Sequence, residues 1–307
     1  MKSLSKKYHS IFISPHIDDV IFSCGGTVAE ISKSKPVLVI YVFSDYGKNT
    51  LQRKLEEEKV AKSFGYETLF LDLPDFPKRN RFGFFPLSYH RFFQKEKDQR
   101  WLRKLIDLLK VTLNSIEYDQ IYFPLASGMH LDHEICFRAG VENVYSVSPL
   151  FYEDLPYSFI PGLLEHRLHR LSRENILIDQ DFDSRSHKEC KNLSDSISDY
   201  LLSDPFFTRT GLIHMRSILK FVLKPCLKNR FNKIEKRKKD FQFEFQPTFF
   251  EIKETFDLKL TGISHYQSQV GCFFNSLQEM ENRYKGFHSK IINSKENFFE
   301  RFWSICS

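Results

Sequence analysis

The sequence predicts an α/β fold of the Rossmann-like type, in which helices flank a mostly parallel sheet. Short apolar segments alternate with longer amphipathic ones through the first half of the chain. The segment 37–43 is apolar on both faces, as expected of a strand in a parallel sheet that is covered on both sides. The charged amphipathic segment 51–64 ends at Gly65, a common helix terminator. This alternation indicates βαβ units with right-handed crossovers.

The individual elements follow from the same periodicities. Strands are predicted at 10–14, 37–43, 68–73, 121–125 and 149–152, and helices at 26–33, 51–64, 101–116 and 132–145. Beyond residue 157 we expect a helical segment at 158–171, a basic helix at 213–240, an extended segment at 241–250 and helices from 252 onward. No repeat or low-complexity linker divides the chain. We therefore expect a single domain, 1–307, with a Rossmann-like core at 1–157 and an elaborated, helical C-terminal part at 158–307.

Composition excludes several classes of protein. Charged residues make up 27% of the 307 residues, and the net charge of +6 is too small for the dense basic surface of a nucleic-acid binder. No apolar run reaches the roughly 18 residues that cross a bilayer, and no signal-type segment follows the basic start. Six cysteines without CxxC spacing indicate reduced thiols. We expect a cytoplasmic protein that does not bind nucleic acid.

Two clusters of metal-binding residue types follow predicted strands. His16, Asp18 and Asp19 come after the first strand, and His130 and His133 come after the fourth. Ligands of open α/β sheets bind beyond the carboxyl ends of strands, so we expect the two clusters to meet. A catalytic zinc site takes three nitrogen or oxygen ligands from the protein and leaves a position for water. The sequence therefore predicts a metal-dependent hydrolase.

The residue types leave several roles open. Of the neighbours Asp18 and Asp19, one can bind the metal while the other acts as general base. His130 and His133 lie on one side of a helical turn, so one can complete the ligand set while the other stabilises an oxyanion. Asp132 is suited to fixing an imidazole tautomer. Taken singly, an Asp-Asp pair is usually a helix N-cap and a His-x-x-His is most often surface or packing, but their joint placement at strand ends favours the metal site.

The two motifs resemble those of the PIG-L (LmbE-like) zinc-dependent N-deacetylases, which remove acetyl groups from N-acetylglucosamine-type sugars. The family pattern Pro/Ala-His-x-Asp-Asp stands at 15–19, and His-x-Asp-His stands at 130–133. Further similar segments are 53–56, 73–75, 151–157, 266–269 and 300–303, together with Lys259, whereas 213–240 is the least familiar part. The resemblance thus extends over most of the chain.

This resemblance implies roles for individual residues. The implied zinc (Zn²⁺) ligands are His16, Asp19 and His133, the implied general base is Asp18, and the implied stabiliser of the tetrahedral intermediate is His130. Arg53 is the candidate for contacting substrate hydroxyls or phosphate, the alternative being a solvated helix face paired with Glu56 or Glu57. Val20 stands where many members carry a third acid, which bears on substrate contacts more than on metal binding.

The predicted reaction is removal of the N-acetyl group from an amino sugar within a larger glycoconjugate, with release of acetate. An amidase of the same fold acting on a thiol conjugate is an alternative, as is a catalytically silent carbohydrate-binding protein. A nucleotide-binding Rossmann protein is less well supported, because Gly25-Gly26 is not a GxGxxG turn. The basic segment 213–240 fits either an amphipathic helix on an anionic membrane surface or a solvated basic helix.

Overall fold

The computed structural model describes residues 6–79, 99–143, 145–172, 241–291 and 297–306. Its strands are β1 (Lys6–Ser14), β2 (Val37–Tyr41), β3 (Glu67–Phe70), β4 (Ile116–Pro124), β5 (Leu150–Tyr152), β6 (Glu244–Glu251) and β7 (Phe299–Cys306). Its helices are α1 (Asp19–Ser32), α2 (Thr50–Phe64), α3 (Phe76–Arg79), α4 (Gln99–Leu113), α5 (Leu131–Glu142), α6 (Leu163–Leu171), α7 (Phe256–His265), α8 (Gln267–Phe273) and α9 (Leu277–Ile291).

The described strands form one mixed sheet in the order β3-β2-β1-β4-β5-β7-β6. The first five of these strands are mutually parallel, and β7 and β6 continue the sheet in antiparallel pairing. Alternate residues of β1 enter two different cores, with Phe12 packing on one face and Ile11 and Ile13 on the other. Helices cover both faces, so the predicted helix-flanked, mostly parallel sheet is confirmed.

The last strand corrects the prediction of helices up to the C-terminus. Helices α7, α8 and α9 do occupy 256–291, but 299–306 is the strand β7, inserted between β5 and β6. Phe302 and Trp303 are fully buried, and the Trp303 indole donates to Glu153 at 2.9 Å. The backbone N–H and C=O groups of an inner strand bond to both neighbouring strands. A short apolar segment does not show by its sequence that such neighbours exist, so it cannot be told from part of a helix. The extended segment expected at 241–250 corresponds to β6.

Helix α1 begins at Asp19, well before the predicted start at residue 26, and is kinked at Cys24, whose φ of −134° and ψ of 30° are not helical. A Cβ on Gly26 would lie 2.7 Å from the Cβ of Ile252, so the glycine allows α1 to pack closely against the C-terminal part. The basic segment 213–240 lies outside the described residues. Among those described, no helix combines the length and apolar character needed to span a membrane.

Candidate active site

The first motif forms the turn between β1 and α1. The hydroxyl of Ser14 donates to the carbonyl of His16 at 2.6 Å and accepts the N–H of Val20 at 3.3 Å. Asp18 occupies the N-cap position of α1, but its side chain makes no capping hydrogen bond. A residue that served only as a cap would use its carboxylate for that bond. The structure of the turn therefore leaves the Asp18 carboxylate for another role.

The second motif lies in the tightly wound loop between β4 and α5. Ala126 and Met129 have φ values of 59° and 52°, a left-handed conformation that residues with a side chain seldom adopt. His130 follows as the N-cap of α5, and its Nδ1 accepts the N–H of Asp132 at 3.2 Å. The loop thus holds the His130 ring in a defined orientation at the carboxyl end of β4.

The two turns meet at Asp19. Its Oδ2 accepts the backbone N–H of His16 at 2.8 Å, and the same oxygen lies 3.1 Å from Nδ1 of His16 and 3.1 Å from Nε2 of His133. The ring centroids of the two histidines are 5.3 Å apart. Three side-chain atoms of the types that zinc prefers therefore converge, as the placement of the motifs at strand ends predicts.

The charged side chains around Asp19 shift one another's pKa values. Burial disfavours the charged form of His16, but the Asp19 and Asp132 carboxylates outweigh it and raise the pKa of His16 to about 9. At His133 burial is outweighed in the same way by Asp19 and Asp154, which raise its pKa to about 10. The two imidazoles overcome the burial of Asp19 and hold its pKa well below the usual range. The site therefore favours positive charge between these side chains, which a metal ion supplies when it displaces the imidazole protons.

A metal ion also accounts for an atom that hydrogen bonding leaves unsatisfied. The Nε2 of His133 is buried and makes no well-aligned hydrogen bond among the described residues, although it lies 3.1 Å from the Asp19 carboxylate. Buried polar atoms in folded proteins are nearly always paired, so an unpaired one requires an explanation. Zinc binding provides it, because the metal takes the lone pair of an imidazole nitrogen, and His16 and Asp19 supply further donors beside it. The residues present fit the implied metal.

A second possible ligand set contains three histidines. Ligand atoms of His16, His130 and His133 lie within 4.8 Å of one another. However, Nδ1 of His130 accepts the Asp132 N–H, which places the proton of the neutral ring on Nε2. That tautomer presents a donor rather than a lone pair through Nε2. This hydrogen bond fits the predicted ligand set, in which Asp19 is the third ligand and His130 is a donor, and that assignment stays a prediction.

A buried carboxylate supports each of the two ligand-type histidines. The Nε2–H of His16 donates to Oδ2 of Asp132 at 3.0 Å, and the other oxygen of Asp132 pairs with Arg79. The Nδ1–H of His133 donates to Oδ1 of Asp154 at 2.5 Å. Such bonds fix the ring orientation and the tautomer of a metal-binding histidine. Asp132, which the sequence suggests as a residue that fixes an imidazole tautomer, thus contacts His16.

Asp18 is almost fully buried beside this cluster. Burial raises the pKa of Asp18 to about 6, and the Asp19 charge adds to this effect while the Arg53 and His16 cations oppose it. A carboxylate with a pKa near neutrality can both accept and return a proton in the physiological range. Its position and its proton affinity suit the predicted general base.

Arg53 borders a cleft whose wall also includes Tyr46, and the ring centroid of Tyr46 lies 6.4 Å from that of His16. Its guanidinium lies 3.9 Å from the ring centroid of Tyr46, and the Tyr46 hydroxyl accepts the N–H of Ile17 at 2.8 Å. Glu56 and Glu57 bond to other residues rather than to Arg53, so the alternative of a helix-face ion pair is not seen in the described chain. The cleft has a volume of about 780 Å³ and is lined by polar side chains that include Tyr46, Gln52, Arg53, Asp75, Lys78 and Gln269.

Three residues near the site were not singled out from the sequence, namely Tyr46, Arg79 and Asp154. Asp154 follows β5 directly and so carries the same strand-end signal as the two motifs, which could have identified it. Arg79 pairs with Asp132 and stacks between the rings of Phe43 and Trp101, with centroids 4.5 and 5.0 Å away. No sequence signal marks this arginine, because its partners are distant along the chain.

Known proteins share sequence features and the fold with this chain. Residues 11–144 match the PIG-L family profile, described as GlcNAc-PI de-N-acetylase. The A40926 pseudoaglycone deacetylase has a similar structure, with a TM-score of 0.61 at 12% identity over 97% of each chain. A deacetylase of the teicoplanin biosynthesis pathway has a TM-score of 0.63 at 14% identity, over 97% of this chain and 98% of that one.

A zinc-inhibited form of the teicoplanin deacetylase is similar as well, with a TM-score of 0.60 at 13% identity over 97% of this chain and 98% of that one. At these identities the structural likeness establishes a shared fold. No curated protein matches the sequence. The profile match contains both histidine motifs, and residues 11–144 of this chain are accordingly a PIG-L family sequence.

Proposed function

We propose that this protein is a zinc-dependent hydrolase that removes the N-acetyl group from an N-acetylglucosamine-type sugar in a glycoconjugate. The observation that carries the proposal is the convergence of ring nitrogens of His16 and His133 on one oxygen of Asp19, with the Asp18 carboxylate, which makes no capping bond, beside them. The family match and the deacetylase neighbours support an amide as the bond that is broken. We further propose that the whole chain works as one domain.

In this proposal His16, Asp19 and His133 hold the zinc ion. When bound at such a site, zinc polarises a carbonyl group and lowers the pKa of water toward roughly 7. Asp132 and Asp154 keep the two imidazoles in the tautomers that ligation requires.

Asp18 takes the proton of the attacking water and delivers it to the nitrogen of the departing amine. This assignment uses the carboxylate that makes no cap and whose pKa burial raises to about 6. Returning the proton matters, because an amine leaves an amide far more readily when it is protonated. The products are acetate and a free amino sugar.

His130 donates a hydrogen bond from Nε2 to the oxygen of the tetrahedral intermediate. The backbone N–H of Asp132 holds the ring in the tautomer that carries this proton. A donor fixed before the reaction begins stabilises developing negative charge without reorganisation. Arg53 contacts hydroxyl or phosphate groups of the substrate from the wall of the cleft.

The experiment that tests this function combines metal analysis with an acetate-release screen across N-acetylglucosamine conjugates. We expect one zinc per wild-type chain and acetate release from at least one conjugate. His133→Ala should lose both, whereas His9→Ala, which removes an imidazole from the other end of β1, should lose neither. Other divalent metals belong in the assay, since a structural neighbour is described in a zinc-inhibited form.

Three results would count against the proposal. Zinc binding without hydrolysis of any conjugate would favour a carbohydrate-binding protein. Hydrolysis of a thiol conjugate without acetate release would favour the amidase alternative. Retention of zinc by His133→Ala would show that the ligand set is wrong.

We also propose a cytoplasmic location, in agreement with the free thiols of Cys24, Cys136, Cys272 and Cys306. If the substrate is carried on a lipid, the basic segment 213–240 is the candidate for contact with an anionic membrane surface. Co-sedimentation with anionic vesicles at low and high salt tests this contact. Binding that disappears at high salt supports it, and no binding at low salt removes it.

A further inference from the structure

Asp154 is a buried carboxylate that belongs to neither histidine motif. It follows β5, the neighbour of β4 in the sheet, and has no exposed surface. Its Oδ1 accepts the Nδ1–H of His133 at 2.5 Å. Its Oδ2 accepts the backbone N–H of Ser127 at 2.9 Å and lies 3.2 Å from the Ser127 hydroxyl. Both oxygens are thus engaged at the base of the loop that carries the second motif.

The contacts of Ser127 make Asp154 a rigid support. The Ser127 hydroxyl also lies 2.8 Å from the hydroxyl of Ser158, and the backbone N–H of Asp154 points at the same Ser127 oxygen at 3.2 Å. The carboxylate therefore cannot rotate without breaking several bonds at once. A fixed acceptor opposite Nδ1 keeps a proton of His133 on Nδ1, so that Nε2, which lies 3.1 Å from Asp19, is the nitrogen left to bind a metal ion.

The charge environment distinguishes Asp154 from Asp132, the carboxylate that supports His16. Asp132 forms ion pairs with both His16 and Arg79. Among the described residues, the ion pair of Asp154 is with His133 alone. In the described chain His133 is therefore the charged partner of Asp154, and the other contacts of the carboxylate are with the neutral groups of Ser127.

We propose that Asp154 is a positioning residue that sets the tautomer of His133 and strengthens its binding to the metal. This inference rests on the proposed function, since it assumes that His133 is a ligand. It adds a third strand end to the site, because β1 and β4 carry the motifs and β5 carries the residue that supports one of them. It also predicts that a residue outside both motifs controls metal affinity.

The test compares zinc affinity in wild type, Asp154→Asn and Asp119→Asn by competition with a chelator of known affinity. The asparagine at position 154 keeps the shape but removes the charge, so we expect roughly a 10- to 100-fold loss of affinity, the range found when such supporting carboxylates are replaced. Asp119→Asn makes the same change in a carboxylate that lies 3.0 Å from Nδ1 of His9, an imidazole outside the site, so we expect a change below about twofold. Unchanged affinity in Asp154→Asn would overturn the proposal.

Spectroscopy separates positioning from a general loss of structure. In the cobalt-substituted proteins, Asp154→Asn should shift the visible absorption bands of the bound metal, whereas Asp119→Asn should not. A long-range ¹H–¹⁵N NMR spectrum of the zinc-loaded wild type, in which the His133 ring is assigned through its bonds to its own backbone, should show the proton on Nδ1. A proton on Nε2 would overturn the proposal even if Asp154→Asn failed to fold.

The outcomes also separate this inference from the proposed function. If wild-type protein binds no zinc and releases no acetate, the proposed function fails. If wild type binds zinc and Asp154→Asn binds it equally well, the function stands and the positioning role fails.

Discussion

Two buried clusters of charged residues in this protein have similar compositions and different properties. The site cluster consists of His16, Asp18, Asp19, His130 and His133. The anchor cluster consists of Lys259 on α7, His288 on α9 and Glu300 on β7, all with at most 2% of their surface exposed. Both combine imidazole with carboxylate, so residue type alone does not separate them.

In the anchor cluster the charged groups satisfy one another. The Lys259 ammonium donates to Glu300 at 2.7 Å, to the carbonyl of Ser23 at 3.0 Å and to Nε2 of His288 at 3.2 Å. Glu300 also accepts the N–H groups of Gly26 and Thr27 on α1 at 3.1 and 2.7 Å. The cluster thus joins three elements of the C-terminal part to the first helix of the core.

The histidines of the two clusters differ in the direction of their pKa shifts. Burial and the neighbouring Lys259 cation hold the pKa of His288 well below its usual range, and its Nδ1–H donates to the carbonyl of Phe299 at 2.6 Å. The carboxylates around His16 and His133 instead raise the pKa values of these residues to about 9 and about 10. A neutral histidine with both nitrogens bonded serves structure. An imidazole that lies between two carboxylates, as both His16 and His133 do, is instead in a setting that favours a bound cation.

If the site cluster is catalytic and the anchor cluster is structural, the largest expected effect is a loss of turnover when a site residue is replaced. Asp18→Asn should keep zinc and the fold but lower turnover roughly 10²- to 10⁴-fold, the usual contribution of a general base. Steady-state acetate release, measured beside zinc content, checks this. A variant with the wild-type rate would assign Asp18 to the turn alone.

The next effect is on stability and concerns the anchor cluster. Lys259→Met removes the cation and leaves Glu300 buried without its ion-pair partner, which should cost about 3–5 kcal/mol of unfolding free energy. Zinc content and turnover of the folded fraction should be unchanged. Urea unfolding and metal analysis of the same sample measure both quantities, and a loss of zinc at full stability would show that the two clusters are coupled.

In the site cluster, His130→Ala should have a smaller effect on turnover than Asp18→Asn. The loss of an oxyanion donor should lower turnover by roughly 10²- to 10³-fold while zinc content is preserved. Loss of zinc in this variant would favour the three-histidine ligand set over the one that contains Asp19.

The smallest effect concerns Glu57 on α2, a buried carboxylate that accepts from the hydroxyls of Tyr66 and Tyr266 at 2.6 and 2.5 Å. Burial raises the pKa of Glu57 to about 7 from its usual 4.5, although both phenols oppose the shift. The folded protein therefore holds this proton more tightly than the unfolded chain does, and stability is lost as the pH rises from about 4.5 through 7. Between pH 5 and pH 8 the loss should be about 2–3 kcal/mol.

Comparison with Glu57→Gln isolates this contribution, because the amide does not titrate. As the pH rises from 5 to 8, the wild type should lose about 2–3 kcal/mol of unfolding free energy relative to the variant. A difference that stays constant with pH would mean that Glu57 titrates normally in the folded protein.

The sequence alone determined the parallel part of the sheet and the position of the site within it. Strands β1, β2 and β4 are continuous apolar segments, and each histidine motif directly follows one of them. These features are local, since strand propensity, strand ends and metal-binding residue types can all be read within a few positions. The roles that the family resemblance implies for Asp18, Arg53 and His130 remain predictions.

The tertiary structure determined those features in which a residue bonds to or packs against residues far away in the sequence. The segment 299–306 becomes a strand because β5 and β6 enclose it, and no local pattern reveals that pairing. Lys259 and Glu300 serve cohesion and not chemistry, because α1 supplies the groups they bond. Asp154 reaches His133 because β5 lies beside β4 in the sheet. Burial makes these long-range contacts energetically decisive, since a charged group removed from water must find its partners in space, wherever they lie in the sequence.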